Sequence, residues 1–196
     1  MRWRIGWRHN NGERICILTG TDSFYLTKYG HTSKMNKYER RDRMRVKMCG
    51  MRTAAAARAA EEAGADYVGF IFAKNSRRYV APEAAREIVH TLRRVKSVGV
   101  FVDAPMDEVN EIAAYVGLDY VQLHGHESAE MARQSERPVI KAYRYGDDFS
   151  VEAANAYPAE MILVDSYVAG AAGGTGTAFH WQEAAREIAR VTKPVL

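Results

Sequence analysis

Cysteine is scarce in this chain of 196 residues: there are two, Cys16 and Cys49. Two cysteines cannot build a disulfide framework. Neither belongs to a Cys-x-x-Cys pair, so no structural metal site is expected. Long hydrophobic runs are missing too. No stretch of about 18 or more apolar residues occurs, which argues against a membrane-spanning helix. Arg2, Arg4 and Arg8 open the chain without a long apolar segment behind them, so the start does not read as a secretory leader. No Gly-x-Gly-x-x-Gly follows the first regular apolar run, which weakens a dinucleotide-binding reading. Together these absences point to a protein of a reducing, cytoplasmic compartment with no membrane partner and no metal.

What is present is ordinary for a globular domain: 47% hydrophobic and 27% charged residues. The net charge of +4 is unevenly placed. Residues 1–43 carry ten Lys/Arg against four Asp/Glu, and residues 44–196 carry 18 against 20. The first stretch shows no sustained period and reads as a basic, irregular N-terminal extension. Trp3, Trp7, Tyr25 and Tyr29 among its cations could stack on bases, but nucleic acid is not expected as a partner.

From Met44 the pattern becomes regular. Short apolar runs at 46–49, 67–72, 97–102, 120–123, 139–142 and 161–164, with the start of another at 194–196, read as strands covered on both faces. Between them, 52–63, 82–93, 106–116, 127–134, 151–156 and 181–191 read as amphipathic helices. Pro82 and Pro105 stand at helix starts, and Gly64 and Gly117 at helix ends. The phrases Ala-Gly-Ala-Asp-Tyr-Val (63–68) and Val-Gly-Leu-Asp-Tyr-Val (116–121) repeat one helix-to-strand transition. Such alternation suits an open doubly wound sheet or a (β/α)₈ barrel, and a barrel usually occupies roughly 200 residues or more.

In either architecture, chemistry gathers at the carboxyl ends of strands. Cys49 ends the first run before Gly50, where a thiolate could act as base or nucleophile, although a lone cysteine is more often a small buried hydrophobe. Arg77 and Arg78, with Lys74, follow the second run and suit an anionic ligand or simply a solvated loop. Gln122 and His124 end the fourth run. Asp165 closes an apolar run, where a carboxyl needs a partner and could serve as general acid or as a cap. Gly173, Gly174, Thr175 and Gly176 precede a helix, a context in which backbone N–H groups can converge on a phosphate.

Val-Lys-Met-Cys-Gly-Met (46–51), Ser-Arg-Arg-Tyr-Val (76–80), Val-Gly-Val-Phe-Val (98–102), Val-Gln-Leu-His-Gly (121–125) and Gly-Gly-Thr-Gly (173–176) occur in this order. With Ala63–Phe72, they make residues 44–196 resemble the phosphoribosylanthranilate isomerase family of tryptophan biosynthesis. The resemblance implies a (β/α)₈ TIM barrel and an Amadori rearrangement of a phosphosugar substrate without a cofactor. It gives Cys49 the role of general base and Asp165 that of general acid. Arg78 would bind the anthranilate carboxylate, Gly173–Gly176 the phosphate, and Gln122 and His124 would line the pocket. Paired aspartates, as in the related histidine-pathway isomerase, are not matched, because Cys49 stands at the first such position.

The sequence also departs from the family. Thr177 stands where lysine is frequent, and His180 where aspartate is frequent. About six complete βα units are followed only by the start of a seventh strand. The barrel is therefore expected to be incomplete, with exposed edges, and weakly active by itself. The alternatives are an inactive remnant, or a fragment that needs a complementing partner. The sequence leaves the oligomeric state open.

Overall fold

The computed structural model describes residues 9–10, 13–18, 45–166 and 181–196. The strands in chain order are β1 (His9–Asn10), β2 (Glu13–Leu18), β3 (Arg45–Cys49), β4 (Tyr67–Ile71), β5 (Lys96–Phe101), β6 (Tyr120–Leu123), β7 (Val139–Tyr145) and β8 (Met161–Ser166). The helices are α1 (Ala54–Glu62), α2 (Pro82–Val89), α3 (Met106–Val116), α4 (Ala129–Ala132), α5 (Val151–Ala156) and α6 (Trp181–Ile188).

Strands β2 to β8 form one sheet in strictly sequential order, every pair parallel. A doubly wound sheet reverses its strand order at a switch point; this one does not. One face is apolar and packs on the helices. It carries Met48, Val68, Phe70, Val121, Leu123 and Ile162 together with Ala57, Ala85, Val109 and Ala113. The other face closes on itself through Tyr67, Val98, Ile140, Ala142, Met161 and Leu163. A parallel sheet with an inner core and an outer helical layer is a curled, partial (β/α)₈ barrel. Leu196 joins the inner cluster, and Val195 bridges Ile162 in parallel, as a seventh barrel strand would at its start.

The repeated Asp-Tyr-Val phrase has a structural meaning. Val46 N–H donates to Asp66 Oδ2 at 2.9 Å, and Ser97 N–H to Asp119 Oδ2 at 2.8 Å. The same two aspartates donate their own N–H back to Val46 O and Ser97 O. Each aspartate thus clips the start of the preceding strand and sets its register. Gly64 and Gly117 make the turn into the clip at φ +88° and +78°, a conformation that disfavours a side chain.

Local chemistry also sets the helix limits. Thr53, Ser128 and Ser150 cap α1, α4 and α5 by accepting backbone N–H bonds. Helix α2 stops at Val89, short of the expected residue 93, because the Glu61 carboxylate takes the N–H groups of Arg93, Arg94 and Val95. Those bonds hold the Glu61 carboxyl below its ordinary pKa. Helix α4 is shorter than expected because Glu127 is engaged elsewhere, as described below.

Two strands lie within the stretch expected to be irregular. Glu13–Leu18 pairs in parallel with Arg45–Cys49, from Ile15↔Arg45 to Leu18↔Met48, and His9–Asn10 turns back on it. The expectation of irregularity fails for these residues. The apolar run Ile15–Leu18 supplies backbone partners to the open edge of β3.

Gly99 lies where the outer layer is tightly packed. A Cβ there would collide with Leu118 Cδ1 and lie 2.8 Å from Phe101 Cε2, beside the stacked Phe72–Phe101 rings. Gly99→Ala is therefore expected to cost about 1–3 kcal/mol through overpacking. Urea unfolding should register this as a lower midpoint at unchanged slope.

Candidate functional site

Strand alternation sends Lys47, Cys49, Gly69, Gln122, His124, Arg144, Leu163 and Asp165 to the inner face, most of them near the carboxyl ends. Five of the residues singled out from sequence lie there or in the adjoining loop: Cys49, Arg78, Gln122, His124 and Asp165. Gly173, Gly174, Thr175 and Gly176 lie outside the described residues, as do Thr177 and His180.

Cys49 ends β3, and Gly50 and Met51 both donate their N–H to Gly69 O at 2.9 Å. The chain turns at Gly50 with φ +90°. A Cβ at Gly50 would lie 2.8 Å from Arg78 Cδ and 2.9 Å from Arg78 Nη1, so glycine is needed for conformation and for space. Through this gap Arg78 Nη1 donates to Cys49 O at 3.0 Å. The loop that carries Arg78 is anchored on β4. Strand β3 stops pairing at Gly69, which leaves the edge of Ile71 open, and Tyr79 and Val80 take it. Arg78 is thereby brought to the Cys49 backbone carbonyl, a juxtaposition that the sequence spacing does not contain.

Opposite these, Gln122 Nε2 lies 2.8 Å from His124 Nδ1. With the amide donating, Nδ1 accepts and the neutral ring carries its proton on Nε2. That nitrogen lies 3.6 Å from Asp165 Oδ2. Burial pushes the His124 pKa below its ordinary value, and Lys47, Arg144 and Lys141 push in the same direction; the Asp165 charge opposes them. Gln122 Oε1 is buried without a hydrogen-bond partner among the described residues.

A second layer, unforeseen from sequence, fixes the loop after β6. Glu127 and Lys141 form a buried ion pair at 3.0 Å. Glu127 also accepts from the N–H groups of Asp103 and Gly125. Lys141 Nζ donates to Gly125 O at 2.6 Å and packs between the Tyr143 and Tyr157 rings. Each charge has a full set of partners, which a buried ion needs. The only sequence signal was a lysine inside an apolar strand. Gly125 is also held against Asp103, whose backbone adopts φ +50° and whose carboxylate takes His126 N–H.

Among the described residues no cluster of three or more His, Cys, Asp or Glu side chains could hold a metal. None of their helices is long and apolar enough to cross a membrane. A cavity of about 450 Å³ lies at the opposite, amino-terminal ends of the strands, between Arg45, Glu61, Asp66, Arg94 and Lys96. It contains none of the residues above.

Comparison with known proteins adds four findings. The family described as N-(5'-phosphoribosyl)anthranilate (PRA) isomerase matches residues 46–193. An N-(5'-phosphoribosyl)anthranilate isomerase of Desulforamulus reducens is 48% identical over 139 residues, covering 70% of this chain and 66% of the relative. The chain thus spans about two thirds of that relative's length. The phosphoribosyl anthranilate isomerase of Thermus thermophilus superimposes with a TM-score of 0.70 at 38% identity, covering 78% of this chain and 74% of that one. Another solved isomerase is complexed with reduced 1-(o-carboxyphenylamino)-1-deoxyribulose 5-phosphate; it has a TM-score of 0.59 at 40% identity and covers 63% of this chain and 65% of that one.

The lowered pKa of His124 has a thermodynamic consequence. The unfolded chain binds a proton on this ring at a higher pH than the folded chain does, so folding stability rises with pH in the window just below the ordinary value of 6.5. Thermal melts between about pH 5 and 7 should show an increase that His124→Gln lacks. Identical pH dependence in the variant would mean that His124 is not buried as described.

Proposed function

The chain belongs to the N-(5'-phosphoribosyl)anthranilate isomerase family, and on that premise we propose that it catalyses an Amadori rearrangement. The substrate is N-(5′-phosphoribosyl)anthranilate, and the product is 1-(2-carboxyphenylamino)-1-deoxyribulose 5-phosphate. The reaction serves tryptophan biosynthesis in the cytoplasm. The observation that carries the reading is the meeting of Arg78 with the Cys49 backbone at one side of the barrel mouth, with the Gln122–His124–Asp165 chain on the strands opposite.

The reaction opens a furanose ring and moves hydrogen from C2′ to C1′. Asp165, carrying a proton, gives it to the ring oxygen, and the C1′–O bond breaks to leave an iminium. The carboxylate that remains is within reach of the His124 Nε2–H. Neutral His124 is thus a donor to the newly formed charge rather than a competing acid. The iminium acidifies the C2′ proton, and Cys49 as thiolate takes it. The enolamine then gains a proton at C1′ and loses one from the 2′-hydroxyl, which yields the ketone. A matched acid and base suffice for these steps.

Arg78 holds the anthranilate carboxylate. Its guanidinium is already oriented by the Cys49 carbonyl, so it is fixed relative to the base it serves. Gly173, Gly174, Thr175 and Gly176 would hold the phosphate at the other end, a role that rests on the sequence phrase. Binding both ends of the sugar fixes C2′ against the sulfur, and such orientation can lower a barrier by several kcal/mol.

The test is the loss of phosphoribosylanthranilate fluorescence on addition of the purified chain. Cys49→Ala and Asp165→Asn are each expected to lower kcat by about 10²-fold or more. Arg78→Ala should act mainly by raising KM. A Cys49→Ala chain that turns over at the unmodified rate would overturn the assignment of the base.

A further inference from the structure

Lys47 lies two residues before Cys49 on β3 and faces the same inner side of the barrel. It is 1% exposed. Its ammonium makes no hydrogen bond and no ion pair among the described residues, in contrast to Lys141, whose charge is met by Glu127 and by carbonyls. An ammonium so nearly removed from water is costly without a counter-charge, so this one favours an anion beside it.

The geometry of Gly69 shows where that anion would be. A Cβ built on Gly69 would be 2.7 Å from Cys49 Sγ and 3.1 Å from Lys47 Nζ. The two atoms therefore converge on the space that the glycine leaves empty and lie under about 6 Å apart, within the range over which a cation favours an anionic neighbour. The register agrees: Lys47 pairs with Tyr67 and Cys49 with Gly69, so the lysine side chain reaches one layer upward to come level with the sulfur.

The other groups around this space do not replace Lys47. From β4 come Tyr67 and Gly69, neither of them anionic at neutral pH. From β6 comes His124, which burial keeps neutral. Arg144 belongs to β7, across from Asp165 in the register. Asp165, on β8, is 3.6 Å from His124. Arg78, from the loop after β4, is directed to the Cys49 carbonyl. The side chains of Glu13–Leu18, on the far edge of β3, lie outside the described residues.

We infer that Lys47 is the electrostatic partner of the Cys49 thiolate, a positioning residue that holds the sulfur in its proton-accepting form without touching the substrate. The inference rests on the reading of Cys49 as the base. It extends that reading by stating what keeps the base ionised and why position 69 carries no side chain. Once the sulfur has taken the C2′ proton, the ammonium is again without a counter-charge, which favours passing the proton on rather than keeping it.

The test is iodoacetamide modification of Cys49 in the full chain, followed by peptide mass spectrometry between about pH 5 and 10. It is run on the unmodified chain, Lys47→Met, Lys47→Arg and Gly69→Ala, with turnover measured in parallel. Lys47→Met is expected to be modified about tenfold more slowly at neutral pH, with its profile moved to higher pH. Lys47→Arg should stay near the unmodified chain. Gly69→Ala, which forces the two groups apart, should follow Lys47→Met, and it serves as the measurement if Lys47→Met does not fold. Profiles of Lys47→Met or Gly69→Ala that superimpose on that of the unmodified chain would overturn the pairing. Failure of the underlying reading would look different: turnover would survive in Cys49→Ala whatever the modification profiles.

Discussion

Two carboxylates hold the register of this sheet. Asp66 and Asp119 each bind the N–H of the second residue of the neighbouring strand, and each returns its own N–H to the same residue. In a parallel sheet with both faces buried, little else opposes a slip, because either face would still find apolar contacts. Yet a slip of one residue turns every side chain to the opposite face. Cys49, Gln122, His124 and Asp165 would then point into the helical layer, and Met48 and Leu123 into the mouth. The clip adds a directed, charge-assisted bond to an otherwise permissive packing.

The barrel wall treats its buried charges in two ways. On the outer face, Lys141 and Glu127 are matched to each other and to backbone groups of the loop after β6, so their charges stabilise one geometry of that loop. That geometry carries His124 to Asp165. On the inner face, polar groups are left incomplete: Lys47, 1% exposed, makes no hydrogen bond among the described residues, and Gln122 Oε1 has no partner among them. A saturated network makes a rigid frame, whereas unsatisfied groups in a cavity leave interactions to be made during a reaction. The division follows the faces of the strands.

Much of this was legible in the chain. The strand at 120–123 and the helices at 106–116 and 151–156 fall where periodicity and capping residues put them. Cys49, Gln122, His124 and Asp165 could be picked out because a polar residue at the end of an apolar run is costly unless it is used. The ends of α2 and α4 were misjudged for one reason. In both places a glutamate accepts backbone N–H bonds from a distant segment, and those bonds compete with continuation of the helix. Lys47 was read only as part of a phrase. A lysine in a short apolar run looks like an edge residue until both faces of its strand are known to be covered.

The sequence by itself determined the βα alternation, the helix start at Pro82 and the family, because these depend on local spacing and on residue types at strand ends. Only the tertiary structure decided which groups meet. Arg78 reaches the Cys49 carbonyl because the Tyr79 loop takes a strand edge that β3 leaves open. Lys47 and Cys49 share the space beside Gly69 because the register sets Gly69 opposite the sulfur. Such meetings depend on the pairing of strands separated in sequence, and no local pattern in either strand encodes the distance across the pair.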